Sequence, residues 1–93
     1  MSQVRLSGQL VCQSEDEAAI VLQHLSIHVK LTRAEAGCES FEVHQTDDPL
    51  VWQVDERFTD AAAFEAHQAR VGASEWGRAT AGIERRYTIH GIG

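Results

Sequence analysis

The order in which two hydrophobic periodicities alternate limits this chain to very few folds. Four short segments alternate apolar and polar residues with a period of two, as half-buried strands do. Two longer stretches between them carry apolar residues at helical spacing. The predicted strands are residues 4–12, 38–46, 50–58 and 83–89. For a chain of 93 residues, this order predicts one domain, residues 1–93, built as β-α-β-β-α-β.

Residues with known capping preferences mark the ends of the first helix. Ser14 and, three residues later, Glu17 form a capping box at its start. Gly37 is expected to end the helix just after Ala36, as a left-handed C-cap. The helix should carry one apolar stripe, formed by Ala18, Leu22, Leu25 and Val29.

The second helical stretch contains a break. Thr59 or Asp60 is expected to cap it. Gly72 should disturb the helix, and Ser74 should restart it as a short turn around Trp76. In the first strand, Gly8 indicates a bend or the close approach of another group.

This element order is that of the α+β ferredoxin-like fold, in which two helices cover one face of a four-stranded antiparallel sheet. The other face would carry Val11 and Val51 beside polar residues such as Gln53 and Arg57. Such a mixed face predicts that the sheet packs against the sheet of a second copy. The alternative is that this face lies in water, as one face of many antiparallel sheets does.

The charge and the apolar runs exclude several classes of partner. Eight Lys and Arg residues stand against fourteen Asp and Glu, a net charge of −6. An acidic chain without a basic stripe is a poor partner for nucleic acid. The longest purely apolar run, Ala18 to Leu22, has five residues, so no membrane contact is expected. The first residues lack the pattern of a signal peptide, and we expect a cytoplasmic location.

Several segments resemble the antibiotic biosynthesis monooxygenase family. Residues 31–38 (Leu-Thr-Arg-Ala-Glu-Ala-Gly-Cys), with Phe-Glu-Val at 41–43, are similar to its first helix exit and second strand. Residues 48–60 and 63–67 are similar to its third strand and second helix. The similarity spans roughly residues 4–90, with Ala36 standing where proline is usual.

This resemblance implies a dimeric α+β barrel with one pocket per subunit, between sheet and helices. Family members oxidise aromatic polyketides or quinols with molecular oxygen, without metal or flavin. Some relatives degrade haem with an asparagine, a tryptophan and a histidine. This chain has no asparagine, and His67 occupies the position of that tryptophan, which argues against haem degradation.

Oxygenation without a cofactor requires a dry aromatic pocket and a base that turns the substrate into an electron-rich anion. His67 is the candidate base, because its ordinary pKa lies near neutrality. The alternative is a structural histidine bonded to a backbone group or a water. The candidate pocket-lining aromatic residues are Trp52, Phe58, Phe64, Trp76 and Tyr87.

Glu56 shares a strand face with apolar residues, so we expect a buried carboxyl group at the pocket that needs a partner. Arg85 or Arg86 is a candidate for that partner, although solvated charges at a strand edge are commoner. His44 and His90 are expected on the sheet face away from the helices. The remaining pair, His24 and His28, has a metal-binding spacing without a third ligand, and we expect both rings to face solvent.

The sequence therefore predicts a cofactor-independent monooxygenase that acts on an aromatic phenol, quinol or polyketide-like molecule with O2. Two alternatives use the same pocket. One is a module that binds a small molecule without turnover, and the other is an isomerase of a small carbonyl compound. An isomerase would require an acid and a base facing each other, which a sequence does not reveal.

Overall fold

The predicted β-α-β-β-α-β order is present in the computed structural model of the protein, which describes residues 3–91. The break in the second helical stretch gives two helices, α2 and α3. The elements are β1 (Val4–Val11), α1 (Glu15–Arg33), β2 (Cys38–Gln45), β3 (Val51–Phe58), α2 (Ala61–Ala73), α3 (Glu75–Ala79) and β4 (Glu84–His90). None of the helices within residues 3–91 is long and apolar enough to cross a membrane.

The four strands form one sheet in the order β2-β3-β1-β4, and every neighbouring pair is antiparallel. Leu6 lies opposite Glu56, which lies opposite Phe41. Since side chains of one transverse row point to the same face, these three residues share the helix-covered face. The ferredoxin-like prediction is confirmed.

The start of α1 forms as predicted, and its buried face does so in part. Ser14 Oγ accepts from the Glu17 backbone N–H, while Glu17 Oε1 accepts from the Gln13 backbone N–H at 2.7 Å. The fully buried residues of α1 are Val21, His28 and Thr32. From the predicted apolar stripe, Ala18 and Leu25 pack against the core, whereas Leu22 is 63% exposed.

The predicted stripe was only partly correct, because α1 carries apolar side chains around much of its circumference. Ile27 and Leu31 are exposed, like Leu22. When several faces are equally apolar, spacing alone does not identify the buried one. Contacts with the sheet and α3 select the face that includes His28.

Gly37 has a different role from the predicted left-handed cap. Helix α1 ends three residues early, at Arg33, and Gly91 is the only residue between 3 and 91 with a positive φ. A Cβ atom at Gly37 would overlap the Cβ atom of Ala63. Close packing between the α1–β2 turn and α2 therefore requires a glycine at this position.

Helix α2 continues through Gly72 to Ala73, so the predicted disturbance at that glycine is absent. The break lies at Ser74, whose extended backbone ends α2 and whose hydroxyl caps α3. The restart at this serine is confirmed. It turns the chain so that Trp76 is buried against α1.

We predict opposite effects of adding a methyl group at two glycines. Gly37→Ala should lower the free energy of unfolding by about 1–3 kcal/mol, because the turn must move away from α2. Gly72→Ala should raise it by about 0.5–1 kcal/mol, because alanine favours a helix and no atom lies within 4 Å of the added carbon. Urea denaturation of both variants tests this. A stable Gly37→Ala variant would contradict the packing argument.

Candidate active site

A cavity of about 360 Å³ lies between the sheet and the helices and opens to solvent. Its sheet side and its helix side both contribute ionisable residues. The sheet side is formed by Leu6, Phe41, Val43, Val54, Glu56, Arg85 and Tyr87. The helix side is formed by His28, His67, Gln68, Val71, Gly72, Trp76, Gly77 and Ala81.

Four of the seven predicted site residues line this cavity: Glu56, His67, Trp76 and Tyr87. The other three, Trp52, Phe58 and Phe64, pack in the hydrophobic core and do not line it, contrary to the prediction.

The register and the ring contacts explain where the three core rings lie. Trp52 lies opposite Leu10, four residues along β3 from Glu56. Phe58 and Phe64 contact each other edge to face with centroids 5.7 Å apart, and Phe58 lies 4.7 Å from His67. Phe58 therefore packs against His67 from the core side, and Phe64 packs behind Phe58.

His67 lies on α2 and meets two carboxyl groups. Its Nδ1 atom lies 2.9 Å from Oε1 and 3.2 Å from Oε2 of Glu35. Its Nε2 atom lies 3.6 Å from Glu56 Oε1. Because an ionised carboxylate such as that of Glu35 only accepts hydrogen bonds, Nδ1 carries the proton. Nε2 then has a free lone pair and lies beside Glu56.

Burial determines the protonation states of Glu56 and His67, which meet at Nε2 of the imidazole. The pKa of Glu56 is raised to about 7, first by burial and then by the charge of Glu35. The pKa of His67 is lowered, since desolvation outweighs the opposing attraction of Glu35. A neutral imidazole therefore stands next to a carboxyl group that holds its proton up to neutral pH.

Glu56 is the buried carboxyl group that the sequence predicts, but its partner is neither arginine. Oε1 of Glu56 has no hydrogen-bond partner among residues 3–91. Arg85 donates to the Ile83 carbonyl at 2.9 Å and to Thr80 Oγ1 at 2.7 Å. Arg86 is exposed and pairs with Glu84.

His28 is buried, which contradicts the prediction that it faces solvent. The ring is 5% exposed and stacks in parallel on Trp76, with centroids 4.3 Å apart. Burial, followed by the charges of His67, Arg70 and Arg85, lowers its pKa to about 3. The face of α1 that packs inward leaves Leu22 exposed and places His28 in the cavity wall. His28 and Trp76 thus form a neutral aromatic wall.

Tyr87 lines the cavity from β4 with Arg85 beside it. Burial raises the pKa of Tyr87 to about 12, against the opposing effect of Arg85. The phenol is therefore a hydrogen-bond donor at neutral pH. Gly8, opposite Tyr87 in the sheet, has no room for a side chain because the β4 backbone passes too close, as the sequence suggested.

The other histidines lie away from this cavity. His44 and His90 are exposed on the sheet face that the helices leave open, as expected. His24 is half-buried, with Nδ1 2.9 Å from the Ile20 carbonyl oxygen. Within the described part of the chain, no three His, Cys, Asp or Glu side chains are grouped to hold a metal ion.

Sequence reasoning missed two contributors, His28 and Glu35. The helix face that buries His28 was ambiguous for the reason given above. Glu35 precedes His67 by 32 residues, and no local pattern predicts which histidine a turn carboxylate meets. Its presence in the segment that resembles a family motif was the one available signal.

Comparison with protein-family models shows which family the chain belongs to. The model of the antibiotic biosynthesis monooxygenase family matches residues 12–79. The chain belongs to this family. The resemblance noted in the sequence is thereby confirmed, and comparison with curated proteins gave no match.

Solved structures with the same fold include candidate antibiotic biosynthesis monooxygenases from two bacteria. The Deinococcus radiodurans protein is 24% identical, with a TM-score of 0.80 over 97% of this chain and 92% of its own. The Nitrosomonas europaea protein is 18% identical, with a TM-score of 0.76 over 96% of each chain. A Mycobacterium tuberculosis protein, 20% identical, has a TM-score of 0.74 over 95% of this chain and 92% of its own. At these identities the comparison establishes the fold.

We predict that Glu56 makes stability fall as pH rises. Its pKa is about 7 when folded and 4.5 in the reference state, so the folded protein binds the extra proton between these values and loses stability as pH increases through them. Replacing Glu56 by Gln removes this loss. The free energy of unfolding of Glu56→Gln relative to the parent should increase by up to about 3 kcal/mol from pH 4.5 to 8.

Urea denaturation across this pH range tests the prediction. Glu65→Gln, at an exposed carboxylate on α2, is the control and should leave the slope unchanged. Parallel curves for the parent and Glu56→Gln would show that Glu56 ionises at an ordinary pH.

Proposed function

We propose that this member of the family is a cofactor-independent monooxygenase that oxidises an electron-rich aromatic phenol, quinol or polyketide-like molecule with O2. The observation that supports this is the row Glu35–His67–Glu56 at the cavity. It provides a neutral imidazole, oriented through Nδ1 and with its lone pair on Nε2, beside a neutral carboxylic acid.

The chemistry begins with proton removal. Nε2 of His67 accepts the hydroxyl proton of the substrate, and the resulting anion is electron-rich enough to reduce O2 directly. In the complete reaction, O2 and a ring C–H or CH2 group give a carbonyl group and water. The substrate loses four electrons, one oxygen atom enters the new carbonyl, and the other leaves as water.

The remaining cavity groups suit an aromatic anion. The stacked pair of His28 and Trp76 offers a flat wall, and burial strengthens every hydrogen bond in the cavity. Tyr87, a protonated phenol beside Arg85, is a donor for developing negative charge. Glu56 is in a position to hold or return a proton near Nε2.

A second candidate is an isomerase of a small carbonyl compound. The observation that favours it is the distance of 3.6 Å between Nε2 of His67 and Oε1 of Glu56. A base and a protonated acid side by side would move a proton between adjacent carbons of a substrate. This activity requires no oxygen, so anaerobic exchange of a substrate C–H with solvent distinguishes it.

Oxygen uptake with a panel of hydroquinones and anthrone-like phenols tests the monooxygenase proposal. We expect uptake above the background of autoxidation, with one oxygen atom of O2 in the product and the other in water. A hydroquinone would give a hydroxylated quinone, and an anthrone would give an anthraquinone. His67→Gln should lower kcat by about 10²–10⁴-fold, the usual contribution of a positioned base. His24→Gln, on α1 outside the cavity lining, is the matched control and should retain full activity.

The outcomes separate the hypotheses. No uptake with any compound, or uptake unchanged in His67→Gln, would refute the monooxygenase. A rise in Tm on adding a phenol without product would favour a binding module instead.

We also propose that two copies pair through the open face of the sheet. The family resemblance supports this, and so does the composition of that face. Val11 and Val51 are half-buried there, and Gln53 lies among charged neighbours, including Asp55 and Arg57. A paired sheet would close the barrel and exclude water from this face.

Sedimentation velocity tests this pairing. We expect a particle of twice 10.3 kDa. Gln53→Glu would place like charges near each other in the paired sheets and should weaken association at least about tenfold. Gln23→Glu, on the exposed side of α1, should have no effect. A single-chain particle at high concentration would rule out the pairing.

A further inference from the structure

We propose that Glu35 is a positioning residue, whose carboxylate holds the imidazole of His67 in the Nδ1–H tautomer and thereby aims a free Nε2 lone pair at the cavity. The inference rests on the proposed use of His67 as a base. It assigns a role to a residue in the turn after α1 that contacts neither the cavity nor a substrate.

The geometry at Nδ1 carries this inference. Both oxygens of Glu35 lie within 3.2 Å of Nδ1, so a small rotation of either side chain keeps the hydrogen bond. The arrangement is that of a carboxylate, a histidine and a free ring nitrogen, in which the carboxylate selects the tautomer and orients the ring. Without an acceptor at Nδ1, the proton of a neutral imidazole is free to move to Nε2, where it would block the base.

A second set of contacts holds Glu35 itself. Arg70 donates from Nε to Glu35 and from Nη2 to Thr32 Oγ1, the latter at 2.9 Å. Thr32 is fully buried. Arg70 follows His67 by three residues, about one turn of α2, so both residues reach the same carboxylate. Glu35 is thus fixed from two sides before any ligand binds.

The charged and titratable groups around His67 define what the loss of Glu35 would do. Glu35 and Glu56 face the two ring nitrogens, while Arg70 from α2 and His28 from α1 lie nearby. Glu35 raises the pKa of His67, and Arg70 lowers it. Removing the negative charge leaves Arg70 without its partner, so His67 becomes a weaker base with a lower pKa.

A purely structural ion pair between Glu35 and Arg70 is the competing explanation. In that case Glu35→Leu and Arg70→Gln would lower stability similarly, and neither would alter the imidazole. If Glu35 positions the ring, Glu35→Leu removes the acceptor at Nδ1 and changes the tautomer, whereas Arg70→Gln retains the bond at Nδ1.

Nitrogen NMR of the full chain labelled at histidine, without any substrate, measures the tautomer directly. The His67 signals are assigned by their loss in His67→Gln. We expect the Nδ1–H form in the parent, and at least a tenfold rise in the ratio of the Nε2–H to the Nδ1–H form in Glu35→Leu, which has no acceptor. Glu65→Leu, at an exposed carboxylate on the same helix as His67, is the control and should leave the ratio unchanged.

Kinetics provide the second readout. With an active phenol, Glu35→Leu should lower kcat about tenfold to a hundredfold, as loss of the partner that orients a histidine does in metal sites. The rising limb of the pH profile should move to lower pH, since His67 then loses its proton more readily.

The NMR measurement tests the positioning role, and the kinetics test the monooxygenase, so one proposal can be contradicted without the other. An Nε2–H tautomer in the parent would overturn the positioning role whatever the activity, and it needs no variant that might not fold. A parent in the Nδ1–H form, with the predicted change in Glu35→Leu and no oxygen uptake, would support the positioning role while refuting the monooxygenase. An unchanged ratio in a folded Glu35→Leu would also overturn the inference.

Discussion

Burying ionisable groups between a sheet and its helices costs free energy, and the site around His67 is organised by how that cost is met. The imidazole gives up its charge and bonds to Glu35 through Nδ1. Glu56 retains its proton up to neutral pH because burial, and then the charge of Glu35, raises its pKa. The result is a base without charge next to an acid that is still protonated. The proposed chemistry depends on this pair.

The fold brings this pair and Glu35 together from three distant segments. Glu35 lies in the turn after α1, His67 on α2 and Glu56 on β3, and each element also contributes apolar residues to one core. Gly37 lets the turn approach α2 closely enough for Glu35 to reach His67 and Arg70. The break at Ser74 turns α3 so that Trp76 covers His28. Features that appear to serve packing therefore also define the site.

Membership of the antibiotic biosynthesis monooxygenase family and the site support the same reaction class in different ways. The family match establishes descent and fold, and one fold often supports several reactions. The geometry narrows the choice, since the polar groups at the cavity suit proton transfer to and from a small aromatic molecule. Whether the deprotonated substrate then reacts with O2 depends on the electron density of that anion more than on any protein group.

The sequence alone determined the element order, the cap at Ser14, and the inward faces of the strands, because these depend on period-two alternation and on local hydrogen bonds. Of its two candidate caps for α2, Thr59 and Asp60, the structure selects Asp60. It also singled out His67 and Glu56, whose types and strand or helix positions are locally readable. Only the tertiary structure decided the buried face of α1, and with it His28, because several faces of that helix are equally apolar. The same holds for the bond between Glu35 and His67. Two side chains 32 residues apart meet only when the turn and α2 pack together, and no local pattern encodes that distance.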